Sequence, residues 1–284
     1  MTVLEVIRKS AEFLAKKGVD SPRLQTELLL AHVLKMPRMN LYLDFERQLT
    51  SAEADTVREL VKRRGRREPL QHVLGSTSFC GLEITVNRHV LVPRPETELL
   101  AELAWQFLST LNPLPSTALD FGTGSGCIAI AIAAKCPAAR VVATDVSPEA
   151  IAVATRNVGQ HGLSGRIQFC CGDGFVEIPA GARFDLIVGN PPYVPSAEID
   201  LLQPEVRDYD PRAALDGGPD GLDAYRLIAE QAAPFLKPRG KIMLELGDGQ
   251  AEPARRIFEV QKWIVEALKP DYTQRLRILI ARRD

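Results

Sequence analysis

The chain has 284 residues, 45% hydrophobic and 25% charged, the balance of an ordinary globular protein, and its length suggests one large domain plus one small one. Its 35 basic and 36 acidic residues leave a net charge of −1, which argues against a protein built mainly to grip duplex nucleic acid by its phosphates. The five cysteines, Cys80, Cys127, Cys136, Cys170 and Cys171, form no C-x-x-C pair and the four histidines are scattered, so neither a metal site nor a disulfide framework is expected.

The first ~70 residues read as helices. Val3, Leu4, Ile7, Ala11 and Leu14 recur at three- and four-residue steps, and Leu24, Leu28, Leu29, Val33 and Leu34 form a second stripe behind Ser21-Pro22, a helix start with Ser as the cap. Thr50-Ser51-Ala52-Glu53 matches a capping box. The helix it opens ends in the basic run Lys62 to Arg67, which reads as a solvated helix end or as a patch facing RNA or a partner. Thr77–Phe79 and Leu82–Val86 alternate like a hairpin around Gly81, and Val90-Leu91-Val92 then meets Pro93-Arg94-Pro95. The expected division is a helical domain over 1–72, a hairpin linker over 73–95 and a second domain over 96–284, opening with a helix near Glu96–Leu108.

From Thr117 strands alternate with helices. Strands are expected at 118–121, 141–144, 167–170, 186–188 and 242–246, with helices near 128–135, 148–158 and 222–236. Two closing strands, 263–268 and 276–281, turn through Pro270-Asp271 and must pair antiparallel. The pattern predicts an α/β fold with a doubly wound, mostly parallel seven-stranded sheet. No charged stretch followed by an apolar one opens the chain, and no apolar run approaches the roughly 20 residues that span a bilayer. A soluble, cytoplasmic protein is expected, and a reducing cytosol fits the cysteine usage.

Asp120-Phe121-Gly122-Thr123-Gly124-Ser125-Gly126 follows the first of these strands and opens a helix. Glycines allow a sharp turn and close approach of a ligand. Counted from Gly124, with Ala129 as the third small residue, the spacing admits a dinucleotide. The D-x-G-x-G-x-G pattern of S-adenosylmethionine enzymes uses Asp120, Gly122, Gly124 and Gly126 together. Asp145, ending the next strand, is placed to accept two ribose hydroxyls of either cofactor, while Ser147 caps the helix behind it. Asp173 is expected to accept from an adenine amine.

Asn190-Pro191-Pro192-Tyr193 ends the fourth strand. A carboxamide oxygen and the carbonyl of Pro191 both accept hydrogen bonds, and together they suit a planar NH2 with two hydrogens to give. Such a nitrogen is a poor nucleophile, because its lone pair is delocalised. Holding both hydrogens favours the positive charge that builds as it attacks, and Tyr193 is expected to offer a face to the planar target or to a cationic methyl donor. The residues themselves stop at methylation of a planar NH2. An adenine-N6 or cytosine-N4 methyltransferase of DNA or RNA, a nucleotide-binding module without chemistry and an NAD enzyme remain as alternatives.

Over nearly its whole length the chain resembles the release factor glutamine methyltransferases, the PrmC/HemK family. The likeness runs through Ser21–Leu24, Glu27–Ala31, Pro69–Gly75, Val90–Glu98, the glycine loop, Asn190–Tyr193, Ala214–Gly218, Asp220–Leu222 and Lys237–Gly240. The resemblance implies a Rossmann-like methyltransferase domain. It implies transfer of a methyl group from S-adenosylmethionine, which leaves as S-adenosylhomocysteine, to the side-chain N5 of the glutamine in the Gly-Gly-Gln motif of class 1 peptide chain release factors. It places the cofactor against Gly122, Thr123, Gly124, Ser125, Gly126, Asp145, the position of Gly174 and Asn190, beside Asp173; members of the family often carry a bulky or aromatic residue where this chain has Gly174, and Phe175 is the alternative cover for the adenine. The substrate glutamine falls to Asn190, Pro191, Pro192 and Tyr193, with Asn190, Pro191 and Tyr193 as the catalytic group. The amino-terminal helices then grip the protein partner, and neither direct nucleic-acid contact nor a membrane is expected.

Overall fold

Two capping boxes start helices of the amino-terminal unit. Thr2 and Glu5 close one on α1 (Val3–Lys16), and Thr50 and Glu53 close the other on α3 (Ser51–Gly65), each pair satisfying N–H groups that a helix start leaves open. Helix α2 (Pro22–Leu34) starts otherwise than expected: Ser21 is left-handed, with φ 47°, and its side chain caps nothing. A short α4 (Leu70–Leu74) follows. Val3, Ile7, Leu14, Leu29, Leu30, Leu41 and Val57 make the core of this unit, while Leu4 and Leu24 of the expected stripes lie exposed.

The computed structural model describes residues 1–111 and 115–284, and the chain divides into Met1–Gly75 with Gln203–Tyr209, and Ser76–Leu202 with Asp210–Asp284. In the first unit Glu27 is buried and accepts hydrogen bonds from Arg23 Nε at 3.0 Å, Arg38 Nη1 at 2.8 Å and Tyr42 Oη at 2.9 Å. Burial alone would raise its carboxyl, but these donors outweigh burial and hold it below the usual range. The basic run is engaged in the same way. Arg64, 3% exposed, and Arg67 both pair with Glu205, carried by the one-turn helix Pro204–Arg207 that completes the unit. Arg63 pairs with Glu68, and Lys62 with Glu59.

Glu205→Ala therefore leaves a buried guanidinium without its carboxylate. The expected cost is about 3 kcal/mol of stability, read by denaturant unfolding, with Glu205→Gln costing less because it keeps an acceptor. A cost under about 0.5 kcal/mol would show that water replaces the carboxylate freely.

The second unit begins with the hairpin β1 (Ser76–Phe79) and β2 (Leu82–Thr85), turned by Cys80 and Gly81 at φ 52° and 77°, the conformation that matches strand twist in a two-residue turn. Helix α5 (Pro95–Ser109) then leads into β3 (Thr117–Phe121), α6 (Cys127–Lys135), β4 (Arg140–Asp145), α7 (Pro148–Gln160), β5 (Ile167–Cys171) and β6 (Phe184–Gly189). The rest is α8 (Asp223–Gln231), β7 (Leu236–Glu245), α9 (Ala251–Val260), β8 (Ile264–Pro270) and β9 (Leu276–Arg282). The hairpin is not a free linker. Asn157 of α7 accepts from Thr85 N at 2.9 Å and donates to Thr85 O at 3.0 Å and Ser125 O at 2.8 Å, while Phe79 and Ile84 join the core beneath.

The sheet runs β5-β4-β3-β6-β7-β9-β8, parallel from β5 to β7, with β9 antiparallel to both β7 and β8. Side chains alternate across it: Ala118, Leu186 and Val188 pack with α5, α6 and α7, and Leu119, Ile187 and Leu244 with α8 and α9. Helix α9 was not anticipated. From β3 the chain builds outward to β4 and β5, then returns to place β6 on the other side of β3. That switch point opens a crevice at the strands' carboxyl ends, between the loop after β3 and the loop after β6. A side chain at Gly189 would stand 2.5 Å from Phe121 O, so glycine is what lets these two strand ends lie together.

Candidate active site

The loop after β3 is held from beneath and open above. Asp120, fully buried, accepts on Oδ2 from Thr123 Oγ1 at 2.6 Å and from Ala129 N at 3.0 Å, fastening the loop to the first turn of α6. Burial pushes its carboxyl up to about 7, opposed by these two donors. Gly122 and Gly124 sit at φ 71° and 54°, and a methyl group added to either would meet no atom within 4 Å. A ligand can therefore lie directly on this backbone.

Asp145 fixes the second edge. Its Oδ2 accepts from Gly124 N at 2.8 Å and its Oδ1 from Ser147 N at 2.9 Å, while Ser147 Oγ caps α7 through Ala150 N. Burial raises this carboxyl too, against the N–H groups that favour its charge. Each oxygen keeps a lone pair for a further donor.

A cavity of about 520 Å³ fills the crevice, within the usual range of small-ligand sites. Its wall brings together Gly122, Thr123, Gly124, Ser125, Asp145, Asp173, Gly174, Asn190 and Pro192 of the expected site residues. Gly126, Pro191 and Tyr193 are outside it: Gly126 is the cap residue of α6, and Pro191 is buried. Phe175 is not a ring for a ligand either, because it is stacked in the core between Phe121 and Phe235, each with its ring centre 5.1 Å away.

Tyr193 was expected to offer a stacking face, but its ring packs against the core shared with α8 and α9, with ring atom Cδ2 3.0 Å from where a side chain on Gly247 would stand. Burial first, and the neighbouring Glu245 second, push its hydroxyl up to about 12. The backbone of its loop is held from behind: Gln250 Nε2 donates to Tyr193 O at 2.8 Å, Val194 N to Leu215 O at 2.9 Å and Gly217 N to Val194 O at 2.9 Å.

Asn190 is oriented by its own contact. Its Nδ2 donates to Thr97 Oγ1 at 3.2 Å, in the first turn of α5, and Thr97 Oγ1 donates to Glu245 Oε2 at 2.7 Å, at the end of β7. The carboxamide oxygen is left with no hydrogen-bond partner among the described residues, beside the glycine loop. Thr97 and Glu245 are 3% and 2% exposed. Burial pushes the Glu245 carboxyl up to about 7, against the hydrogen bond from Thr97. The sequence assigned neither residue a role: Thr97 entered only within the Val90–Glu98 likeness, and the signal available for Glu245 was an acid inside the apolar run Ile242 to Leu246. Arg94, also on the wall, donates to Asp210 Oδ2 at 2.8 Å. Burial lifts Asp210 to about 6, opposed by that guanidinium.

Among the described residues no cluster of histidine, cysteine or carboxylate side chains could hold a metal ion, and no helix is long and apolar enough to cross a membrane. Residues 5–75 match the PrmC N-terminal domain and residues 103–203 the methyltransferase small domain. The chain is 48% identical over 257 residues to a release factor glutamine methyltransferase of Geobacter sulfurreducens, covering 90% of this chain and 88% of that one. Against its counterpart in Chlorobaculum tepidum it is 46% identical over 258 residues, covering 88% and 87%. The crystal structure of a methyltransferase from Pyrococcus furiosus shares the fold, at a TM-score of 0.53 and 23% identity over 78% of this chain and 97% of that one. Matched in sequence along most of its length, the chain belongs to the release factor glutamine methyltransferase family.

Proposed function

We propose that this protein transfers a methyl group from S-adenosylmethionine to the side-chain N5 of the glutamine in the Gly-Gly-Gln motif of class 1 release factors, in the cytoplasm. The observation that carries the reading is the Asn190 carboxamide. Its nitrogen is taken by Thr97, so that an acceptor oxygen remains beside an open glycine loop.

The residues fit the cofactor. Open space above Gly122 and Gly124 accepts its amino-acid part, the spare lone pairs of Asp145 accept the ribose hydroxyls, and Asp173 and Gly174 take the adenine end. When bound, S-adenosylmethionine supplies an electrophilic methyl group on a positively charged sulfur. Asn190 Oδ1 takes one hydrogen of the substrate amide and the Pro191 carbonyl is the proposed second acceptor. Together they fix the nitrogen and favour the positive charge it gains on attack. No strong base is needed beforehand, since the surplus proton becomes acidic only once the N–C bond has formed. Pro192 lines the substrate side, and Tyr193 steadies the loop from behind.

Incubation with a labelled methyl donor and, separately, a purified class 1 release factor, duplex DNA and RNA tests this reading. Label on the release factor alone, placed by mass spectrometry on the motif glutamine, is the expected result. Label on nucleic acid, or on no substrate, overturns the reading.

A further inference from the structure

An asparagine side chain fits its site in two nearly isosteric ways, with oxygen and nitrogen exchanged. Only one of them serves the proposed reaction. With Oδ1 toward the cavity the site accepts from the substrate NH2; with Nδ2 outward, two donor groups would face each other.

We propose that Thr97 and Glu245 form a positioning relay that locks the Asn190 carboxamide with its oxygen toward the methyl acceptor, an inference that rests on the function proposed above. A hydroxyl has one hydrogen and two lone pairs, so its donor can serve only one neighbour. Ionised, as it is above about pH 7, the Glu245 carboxylate can only accept. The 2.7 Å contact therefore commits the Thr97 hydrogen to Glu245, and the lone pair left to face Asn190 can only receive a hydrogen. That selects Nδ2, at 3.2 Å, and turns Oδ1 outward. The relay is shielded from water, since Thr97 and Glu245 are both nearly fully buried. Each member sits on a different rigid element: α5, the end of β7 and the end of β6. Further contacts steady the acid, as Tyr225 Oη donates to the Glu245 carbonyl at 3.0 Å. Thr97 and Glu245 touch neither reacting atom; they act through Asn190.

The test measures kcat, the KM for release factor and the donor affinity in Thr97→Val, Thr97→Ser and Glu245→Gln. Valine keeps the shape and removes the hydroxyl. The expected fall in kcat is about 100-fold, with KM and donor affinity within about threefold of wild type, as for loss of orientation rather than of binding. Serine restores the hydroxyl and with it kcat to within about threefold. Glutamine, which both donates and accepts, no longer imposes one direction on the hydroxyl, and kcat falls about tenfold. Equal defects in the serine and valine variants, or a valine variant with near-normal kcat, overturn the relay. If valine does not fold, the serine and glutamine variants still decide: serine defective or glutamine unaffected overturns it. A wild-type protein that labels no release factor overturns the function instead, so the two failures are told apart.

Discussion

Asn190→Ala lowers methyl transfer to the release factor by about 10³-fold while the protein still folds and still binds its donor. The size of the effect follows from what the side chain does. An amide nitrogen attacks poorly because its lone pair is shared with the carbonyl. Without Oδ1, one of its hydrogens has no acceptor, and the charge that develops on nitrogen has nothing fixed to stabilise it. Positioning is lost at the same time, since the oxygen also sets the angle of approach. Donor affinity changes by no more than about fivefold, because one neutral hydrogen bond contributes only about 1 kcal/mol. The fold is spared, because Asn190 is only partly buried and Thr97 keeps its bond to Glu245. Single-turnover transfer of label, paired with calorimetric titration of the donor, checks both halves. Retention of more than about a tenth of the activity would show that nitrogen activation does not run through this oxygen.

How much of this could be read beforehand depends on the range of the interaction. The seven-stranded sheet was legible because each strand is a short apolar run bounded by turn residues, a local signal. The glycine loop, Asp145 and Ser147 were legible for the same reason, being fixed by contacts two to a few residues apart or across neighbouring strand ends. Helix α9 was missed because Ala251–Val260 carries Pro253 and a strongly polar face, and only packing of Ala254 and Phe258 on the sheet makes it a helix. Leu4 and Leu24 fit a periodic stripe yet face outward, and the second helix buries Thr26 and Glu27 instead, a choice made by partners as distant as Arg38 and Tyr42. The relay proposed behind Asn190 joins Asn190 to Thr97 across 93 positions and Thr97 to Glu245 across 148, separations at which no local pattern carries information. Tyr193 shows the same limit. Its place beside Asn190 suggested a ligand face, whereas its half-buried ring packs against the core built by α8 and α9.

The largest effect on donor binding is expected at Asp145. Asp145→Ala removes the proposed acceptor of two ribose hydroxyls and, in the same step, the carboxylate that holds Gly124 N and Ser147 N. A hydrogen bond to a charged acceptor contributes about 1.5–3 kcal/mol, so losing two weakens donor affinity by about 10²- to 10⁴-fold. The two backbone N–H groups left behind add a cost to the fold, about 1–3 kcal/mol for each that finds no water. Asp145→Asn separates the two roles. Its single oxygen can still accept from one N–H, but its NH2 meets the other donor, so the loop is perturbed and one hydroxyl loses its partner. Affinity should then fall between those of wild type and alanine. At saturating donor the alanine variant recovers most of kcat, since the task proposed for Asp145 is to hold the donor rather than the reacting nitrogen, and this sets it apart from Asn190→Ala, which no donor concentration rescues. Titration of S-adenosylmethionine, with NAD as the comparison ligand, is the check. An alanine variant that binds the donor within about threefold of wild type would mean that this carboxylate serves only as a brace for the loop, and a wild type that prefers NAD would overturn the choice of cofactor instead.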